Sequence, residues 1–117
     1  MSDFASKEWF EQLAERANAQ AEFQNAARWF RGTVGWKVDD QQMDFHIANG
    51  QITGITPASG KAVCCMAGSR AAWDELNAQG TINRLFRQGK INIQGDKVEA
   101  MRFWKILWYL TEIGRKM

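Results

Sequence analysis

The stretch TVGWKVDDQQMDFHIANGQITGIT, residues 33–56, decides the fold. Apolar residues alternate with polar or small ones along 34–38 and again along 43–47, which is the two-residue period of a half-buried strand. Asp39-Asp40 lies between these runs, and Asn49-Gly50, a strong hairpin signal, precedes a third. The stretch therefore predicts three consecutive antiparallel strands.

Two further strands are predicted outside this stretch. Residues 62–67 are almost all apolar and follow a turn signal, as in a strand covered on both faces. Ile91 and Ile93 alternate with polar residues, as in a strand with one buried face. The five predicted strands span 33–39, 42–48, 51–56, 61–67 and 90–94. The first four are expected to form a meander.

Helices are predicted to begin at four side chains that can cap a helix N-terminus, namely Ser6, Ser69, Thr81 and Asp96. The first helical section weakens near Asn18, which predicts one broken helix or two short ones. The last section, which opens with an Asp-x-x-Glu variant of the capping box, is expected to continue as one helix to Ile113. The fold class is α+β, with a five-stranded, mainly antiparallel sheet covered on one face by helices, and residues 1–117 are expected to form a single domain.

Composition excludes several classes of protein. No uninterrupted apolar run, Ile106–Leu110 included, approaches the roughly 20 residues of a membrane-spanning helix. The start of the chain lacks the basic and then apolar layout of a signal peptide.

Cys64 and Cys65 are adjacent and project to opposite faces of a strand, so they are expected to stay free thiols. We expect a cytoplasmic protein with no transmembrane segment.

Catalytic and metal-binding patterns are sparse. The chain has one histidine and no CxxC, HExxH or GxGxxG motif, so no metal site and no cofactor are expected. His46 lies on the polar side of a predicted strand with only Asp44 near it, and neither cysteine has an evident activating neighbour. No catalytic residue is assigned, and the protein is not expected to be an enzyme.

The basic residues are concentrated in the last third of the chain. Residues 84–117 hold eight basic and three acidic residues, although the whole chain carries a net charge of only +2. These basic residues fit either a solvated rim or a surface for anions such as phospholipid headgroups or coenzyme A phosphates. Because the net charge is small and no nucleic-acid motif is present, no nucleic-acid partner is expected.

The predicted terminal helix is apolar nearly all round. One stripe contains Val98, Met101, Trp104, Leu107 and Trp108, and four more large apolar residues widen it. A helix packed on a sheet needs only one apolar face. The second face is therefore left to a ligand, to a partner chain or to other helices of the same domain.

The order and spacing of several short motifs resemble the sterol carrier protein 2 family of small lipid-binding domains, in the form of the bacterial stand-alone members. The most specific stretch is LFRQGKINIQGD, residues 85–96, which follows Gly80 and leads into the last helix. The hairpin FHIANGQI, residues 45–52, and the segments 18–23 and 27–34 are also similar to the family. The resemblance implies a five-stranded sheet under a layer of helices, and lipid binding or transport without catalysis.

We therefore expect the chain to bind a hydrophobic ligand, such as a fatty acyl chain, an acyl-coenzyme A or a sterol-like molecule, between helices and sheet. The residues expected to line this pocket are Trp36, Phe45, Met66, Ile82, Phe86, Met101, Trp104, Leu107 and Trp108. An empty rigid cavity of about 300 Å³ would cost about 7 kcal/mol. The pocket is therefore expected either to hold a lipid or acyl chain in the isolated protein, or to close in the free form by repacking flexible groups such as Met43, Met66 and Met101. The alternative is an accessory subunit of an enzyme that acts on hydrophobic substrates, with a homodimer or that enzyme as the partner.

Overall fold

The helices and strands follow the predicted order in the computed structural model, which describes residues 3–117. The helices are α1 (Lys7–Asn18), α2 (Ala21–Ala27), α3 (Arg70–Gln79), α4 (Ile82–Arg87), α5 (Lys97–Arg102) and α6 (Trp104–Arg115). The strands are β1 (Gly32–Val38), β2 (Gln41–Ala48), β3 (Gln51–Pro57), β4 (Cys64–Gly68) and β5 (Ile91–Gly95). The α+β class and the five strands are confirmed.

The sheet is mixed and mostly antiparallel, with the strand order β3-β2-β1-β4-β5. Both predicted hairpins are present, because β1 pairs with β2 and β2 pairs with β3 in antiparallel register. The turn residues Asp39, Asn49 and Gly50 have φ values of 54°, 55° and 78°, in the left-handed region that short asparagine, aspartate and glycine residues tolerate.

The predicted four-strand meander is wrong at its fourth strand. β4 lies beside β1 and runs parallel to it, whereas β3 is at the opposite edge of the sheet. The connection from β3 to β4 therefore crosses the sheet. Its path is marked by Ser59, whose backbone N–H and hydroxyl both donate to the buried Asp44 carboxylate, at 2.8 and 2.6 Å.

The core lies between one face of the sheet and the helices. Trp36 of β1 is fully buried at the centre of this core. Its ring stacks on that of Trp73 of α3, with the ring centroids 4.6 Å apart. Phe10 of α1 packs edge-on against Trp36 and against Phe45 of β2. Asp44 alternates with these core residues and so belongs to the other face, which we call the helix-free face.

The four predicted N-terminal caps are confirmed, but the single terminal helix is wrong. Ser6, Ser69, Thr81 and Asp96 each accept a hydrogen bond from the backbone N–H three residues later. The terminal helix is interrupted at Phe103, whose φ of −112° and ψ of 33° are not helical. The predicted apolar stripe is broken with it, because Val98 is 77% exposed and Met101 is 48% exposed. No helix within residues 3–117 is long and apolar enough to span a membrane.

Candidate functional site

The structure separates the nine residues expected to line a ligand pocket into two groups. Five of them are at most 1% exposed and are packed into the core: Trp36, Phe45, Met66, Ile82 and Leu107. The other four lie partly at the surface, namely Phe86, Met101, Trp104 and Trp108. The periodicity of the sequence identified both groups as apolar but did not distinguish interior from surface.

Three of the surface residues come together in one groove. Phe86, Met101 and Trp104 line an open groove of about 420 Å³ with Asn83 and Arg87, and we call it the helix groove. The rings of Phe86 and Trp104 are 5.4 Å apart and tilted by 52°. The indole N–H of Trp104 donates to the side-chain oxygen of Asn83 at 2.6 Å, which fixes the ring against α4. The result is an apolar surface with one fixed aromatic wall.

Helix ends position the walls of this groove. The Thr81 hydroxyl accepts from the Arg84 N–H and begins α4, and the Asp96 carboxylate accepts from the Glu99 N–H and begins α5. Phe103 ends α5 and precedes α6, so Met101 and Trp104 belong to two different helices. The groove therefore depends on the break that the sequence analysis did not predict.

Arg87 gives the helix groove a positive charge. The neighbouring cations Arg84 and Lys90 both pair with Glu75, at 3.6 and 2.9 Å. The hydrogen bond from Lys90 lowers the pKa of Glu75, so this carboxylate is charged at neutral pH. Arg87 forms no ion pair within residues 3–117 and stays available to an anionic group.

A larger groove, which we call the end groove, lies where α1 meets the turn between β1 and β2. Its volume is about 800 Å³, and its apolar wall is formed by Phe10, Val38 and Met43. The carboxyl-bearing residues Asp39 and Asp40 line its rim. The sequence analysis connected only Met43 of this set with a pocket, because residues from four distant segments form the groove and no local motif unites them.

Trp108 lies apart from Trp104, although both belong to one predicted stripe. It lines a groove of about 670 Å³ between α6 and the junction of α1 with α2, which we call the hinge groove. The ring of Tyr109 packs edge-on against Trp108 at 5.0 Å. Arg16, Glu112 and Lys116 are also at this surface. The terminal segment thus contributes to two separate grooves.

The residues considered for catalysis lie on both faces of the sheet, with His46 and Cys65 on the helix-free face and Cys64 on the core face. His46 is hydrogen-bonded through both ring nitrogens, to the hydroxyls of Thr33 and Thr56 at 2.9 and 2.8 Å. Burial raises the pKa of the Cys64 thiol to about 11 and that of Cys65 to about 12, and nearby carboxylates add to both effects. The histidine is a satisfied strand residue, and the thiols are protonated at neutral pH. In the part of the chain from 3 to 117, no three histidine, cysteine or acidic residues are grouped as metal ligands.

Solved structures share this fold at low sequence identity. A crystal structure of sterol carrier protein 2 superposes with a TM-score of 0.84 at 13% identity, covering 98% of this chain and 99% of that one. A UbiJ-SCP2 ubiquinone synthesis protein gives a TM-score of 0.62 at 14% identity, with 98% and 94% covered. A stereoselective inverting sec-alkylsulfatase from Pseudomonas sp. gives 0.58 at 20% identity, where 84% of this chain matches 15% of the enzyme.

Sequence comparison identifies the family directly. No curated protein is significantly similar to the chain in sequence. Residues 10–107, however, match the SCP-2 sterol transfer family, in agreement with the resemblance of the motifs at 45–52 and 85–96. With most of its length matched and its five-stranded fold shared, the chain belongs to the SCP-2 sterol transfer family.

Proposed function

We propose that the protein binds a fatty acyl ligand, without catalysis, in the helix groove. The observation that carries this proposal is the meeting of Phe86, Met101 and Trp104, from three helices, around an open apolar surface with a free cation at its side. The groove's volume of about 420 Å³ is within the usual range for small-molecule sites. Membership of a family named for sterol transfer supports a lipid as the ligand.

Apolar burial supplies most of the expected affinity. Each buried methylene group is worth roughly 0.8 kcal/mol, so about eight of them supply about 6 kcal/mol before the cost of association. Met101 is unbranched and 48% exposed, so its side chain can move to follow the shape of an acyl chain. Arg87 supplies a charge-assisted hydrogen bond to a carboxylate or phosphate.

The end groove is larger, but its charge does not favour an anionic ligand. Asp39 and Asp40 line it, and its one cation, Arg70, already pairs with Asp74 at 3.4 Å. The helix groove has no acidic residue among those that line it. For a fatty acid or an acyl-coenzyme A, electrostatics therefore favour the helix groove.

Replacing one aromatic wall tests the location of this site. Trp104→Ala is expected to weaken fatty-acid binding by about 1–3 kcal/mol, roughly fivefold to 150-fold in Kd, because the indole forms one side of the groove. Trp108→Ala, in the hinge groove, is the matched control and should leave the affinity near that of wild type. Titration calorimetry with a soluble fatty acid provides both values.

A second pair of measurements distinguishes the contribution of the ligand's carboxylate head group to affinity from that of its acyl chain. Arg87→Gln should weaken binding of the fatty acid but leave binding of its uncharged methyl ester unchanged. Equal fatty-acid affinity in wild type and Trp104→Ala would show that the site is elsewhere. No binding of fatty acid, acyl-coenzyme A or sterol by the wild-type protein would reject the binding function itself.

An accessory role is the second candidate, and the likeness to the UbiJ-SCP2 ubiquinone synthesis protein over 98% of this chain favours it. In that role the exposed apolar residues would contact an enzyme that uses hydrophobic substrates. Native mass spectrometry of the purified protein distinguishes the two roles. Bound lipid in a monomer supports the first, and a lipid-free oligomer or complex supports the second.

A further inference from the structure

Three large apolar side chains are exposed, and they belong to two segments of the chain. Trp29, which follows α2, is 79% exposed, and Val98 and Met101 of α5 are 77% and 48% exposed. Isolated exposed apolar residues are common in soluble proteins, but an exposed tryptophan is a large apolar surface to leave in water. What the exposure of these three side chains implies therefore depends on the position of their two segments in the fold.

The topology brings the two segments to the same end of the sheet. Val63, just before β4, donates its N–H to the Thr33 carbonyl and accepts from the Asp96 N–H, at 2.8 and 2.7 Å. The start of β1 and the start of α5 are thereby adjacent. The ring of Phe30 also packs edge-on against Phe103, with centroids 4.9 Å apart. We call the surface formed by residues 28–31 and 97–105 the aromatic-basic end.

Positive charge is interleaved with these apolar groups. The aromatic-basic end has five exposed basic residues, Arg28, Arg31, Lys97, Arg102 and Lys105. Its one acidic residue, Glu99, already pairs with Arg102 at 3.6 Å. The guanidinium groups of Arg28 and Arg102 lie over the rings of Trp29 and Phe103, at 4.9 and 5.6 Å from the centroids.

We propose that the aromatic-basic end docks on the surface of an anionic lipid bilayer, with the Trp29 indole among the headgroups. Tryptophan favours the membrane interface, because its ring is apolar and its N–H can hydrogen-bond there. Basic residues close to an anionic bilayer each contribute about a fivefold factor in affinity. The charge complementarity and the separated apolar groups fit a bilayer better than a protein partner, for which a contiguous apolar patch is expected.

Docking in this orientation places a lipid site next to the membrane. Met101 belongs both to the aromatic-basic end and to the helix groove. If the helix groove binds an acyl chain, as proposed above, the ligand can pass between bilayer and protein over a short distance. This last step rests on the proposed function, whereas the docking itself does not.

Vesicle sedimentation tests the docking. The wild-type protein should bind phosphatidylcholine vesicles that contain phosphatidylglycerol, should bind pure phosphatidylcholine much more weakly, and should lose affinity as salt is added. Arg28→Glu, which changes the charge by two, should weaken binding to the anionic vesicles about twenty-fivefold. Trp29→Ser should also weaken it, because the indole no longer enters the interface. Equal binding to both kinds of vesicle, or unchanged binding by Trp29→Ser, would overturn the proposal.

Lys7→Glu is the matched control, because it changes the net charge by the same amount as Arg28→Glu. Lys7 begins α1 at the opposite end of the sheet, where the Phe4 ring lies under Arg70 and the Arg70 N–H bonds to Asp39. Vesicle binding should persist in Lys7→Glu, and a loss equal to that of Arg28→Glu would show nonspecific attraction and overturn the proposal. So would tight binding of single-stranded DNA without binding of vesicles.

Fatty-acid affinity, measured on the same variants, separates this proposal from the previous one. Trp29→Ser and Arg28→Glu should keep wild-type fatty-acid affinity, which also verifies their fold. Vesicle binding by a wild-type protein that binds no fatty acid would support docking and reject the ligand site. Fatty-acid binding by a wild-type protein that does not bind vesicles would reject the docking proposal and leave the ligand site supported.

Discussion

Asp44 positions the segment that crosses the helix-free face. Its carboxylate is fully buried and accepts three hydrogen bonds, one from the Gln42 amide at 2.7 Å and two from Ser59. A buried charge without partners is costly, but three donors compensate for its lost hydration. Gly35 makes room for this arrangement, because a Cβ there would lie 3.0 Å from the Asp44 carboxylate and 2.8 Å from the Gln42 amide.

Removing this carboxylate should destabilise the fold. Asp44→Ala leaves the Ser59 and Gln42 donors without their acceptor, and we expect the free energy of unfolding to fall by about 2–4 kcal/mol. Ser59→Ala removes the hydroxyl but keeps the backbone N–H bond, so about 1–2 kcal/mol is expected. Urea denaturation measures both losses. A smaller loss for Asp44→Ala than for Ser59→Ala would contradict this role of the carboxylate.

The two buried thiols predict a dependence of stability on alkaline pH. Their pKa values in the folded chain, about 11 for Cys64 and about 12 for Cys65, are above the ordinary value of 9.0. Above pH 9 the unfolded chain ionises first, so stability is lost by about 1.4 kcal/mol per pH unit for each thiol, up to its folded pKa. Urea midpoints should fall less steeply above pH 9 in Cys65→Ala than in wild type. Parallel curves for the two proteins would contradict this.

For single residues, the sequence predicts on which side of a strand a side chain lies better than whether that side chain is in the core or at the surface. The free thiols follow from the alternation of a strand, and the structure agrees. His46, which the same alternation places on the polar side of its strand, is hydrogen-bonded to two threonines. Trp36 and Trp104 are equally apolar in sequence, yet one is fully buried and the other lines a groove. Which of them meets a surface depends on tertiary packing, which periodicity does not contain.

At the level of elements, the turn from β5 to α5 is a tight connection near the helix groove. Gly95 has a φ of +91°, and a Cβ there would lie 2.6 Å from the Val63 carbonyl oxygen. The following Asp96 N–H donates to that same oxygen. Glycine is needed for both reasons, the backbone conformation and the close approach.

A comparison of Gly95 with Gly89 distinguishes the cost of the positive φ from the cost of the close contact with Val63. Gly89 also has a positive φ, +74°, but a Cβ there meets nothing within 4 Å. Gly89→Ala should therefore cost about 1 kcal/mol for conformation alone. Gly95→Ala should cost about 2 kcal/mol more, because the backbone of Val63 must shift. Thermal unfolding of the two variants gives the difference, and equal losses would show that the contact with Val63 relaxes freely.

The local elements were predictable, and their long-range arrangement was not. The alternation at 33–56 and the left-handed Asn49-Gly50 turn predict the two hairpins that the structure contains. The position of β4 beside β1 depends on the crossing segment anchored by Ser59, which no local pattern shows. The break at Phe103 was missed because the apolar residues continue across it in helical phase.

Over the whole molecule, the core is filled and the grooves are open to the surface. Trp36, Phe45 and Met66, three of the residues predicted to line a ligand pocket, are fully buried side chains of the packed core. An enclosed empty cavity of about 300 Å³ would cost about 7 kcal/mol, comparable with the stability of a domain of this size. The helix groove avoids that cost, because its apolar walls face solvent until a ligand covers them.

Photo-crosslinking measures where an acyl chain lies in the folded protein and so tests the central claim most directly. A fatty acid with a diazirine on its chain would be bound, irradiated and located by mass spectrometry of peptides. We predict adducts on residues 83–87 and 101–104, suppressed by an excess of unlabelled fatty acid and reduced in Trp104→Ala. Adducts confined to the end groove, at 38–43 and 57–58, or labelling that excess fatty acid does not suppress, would contradict the account.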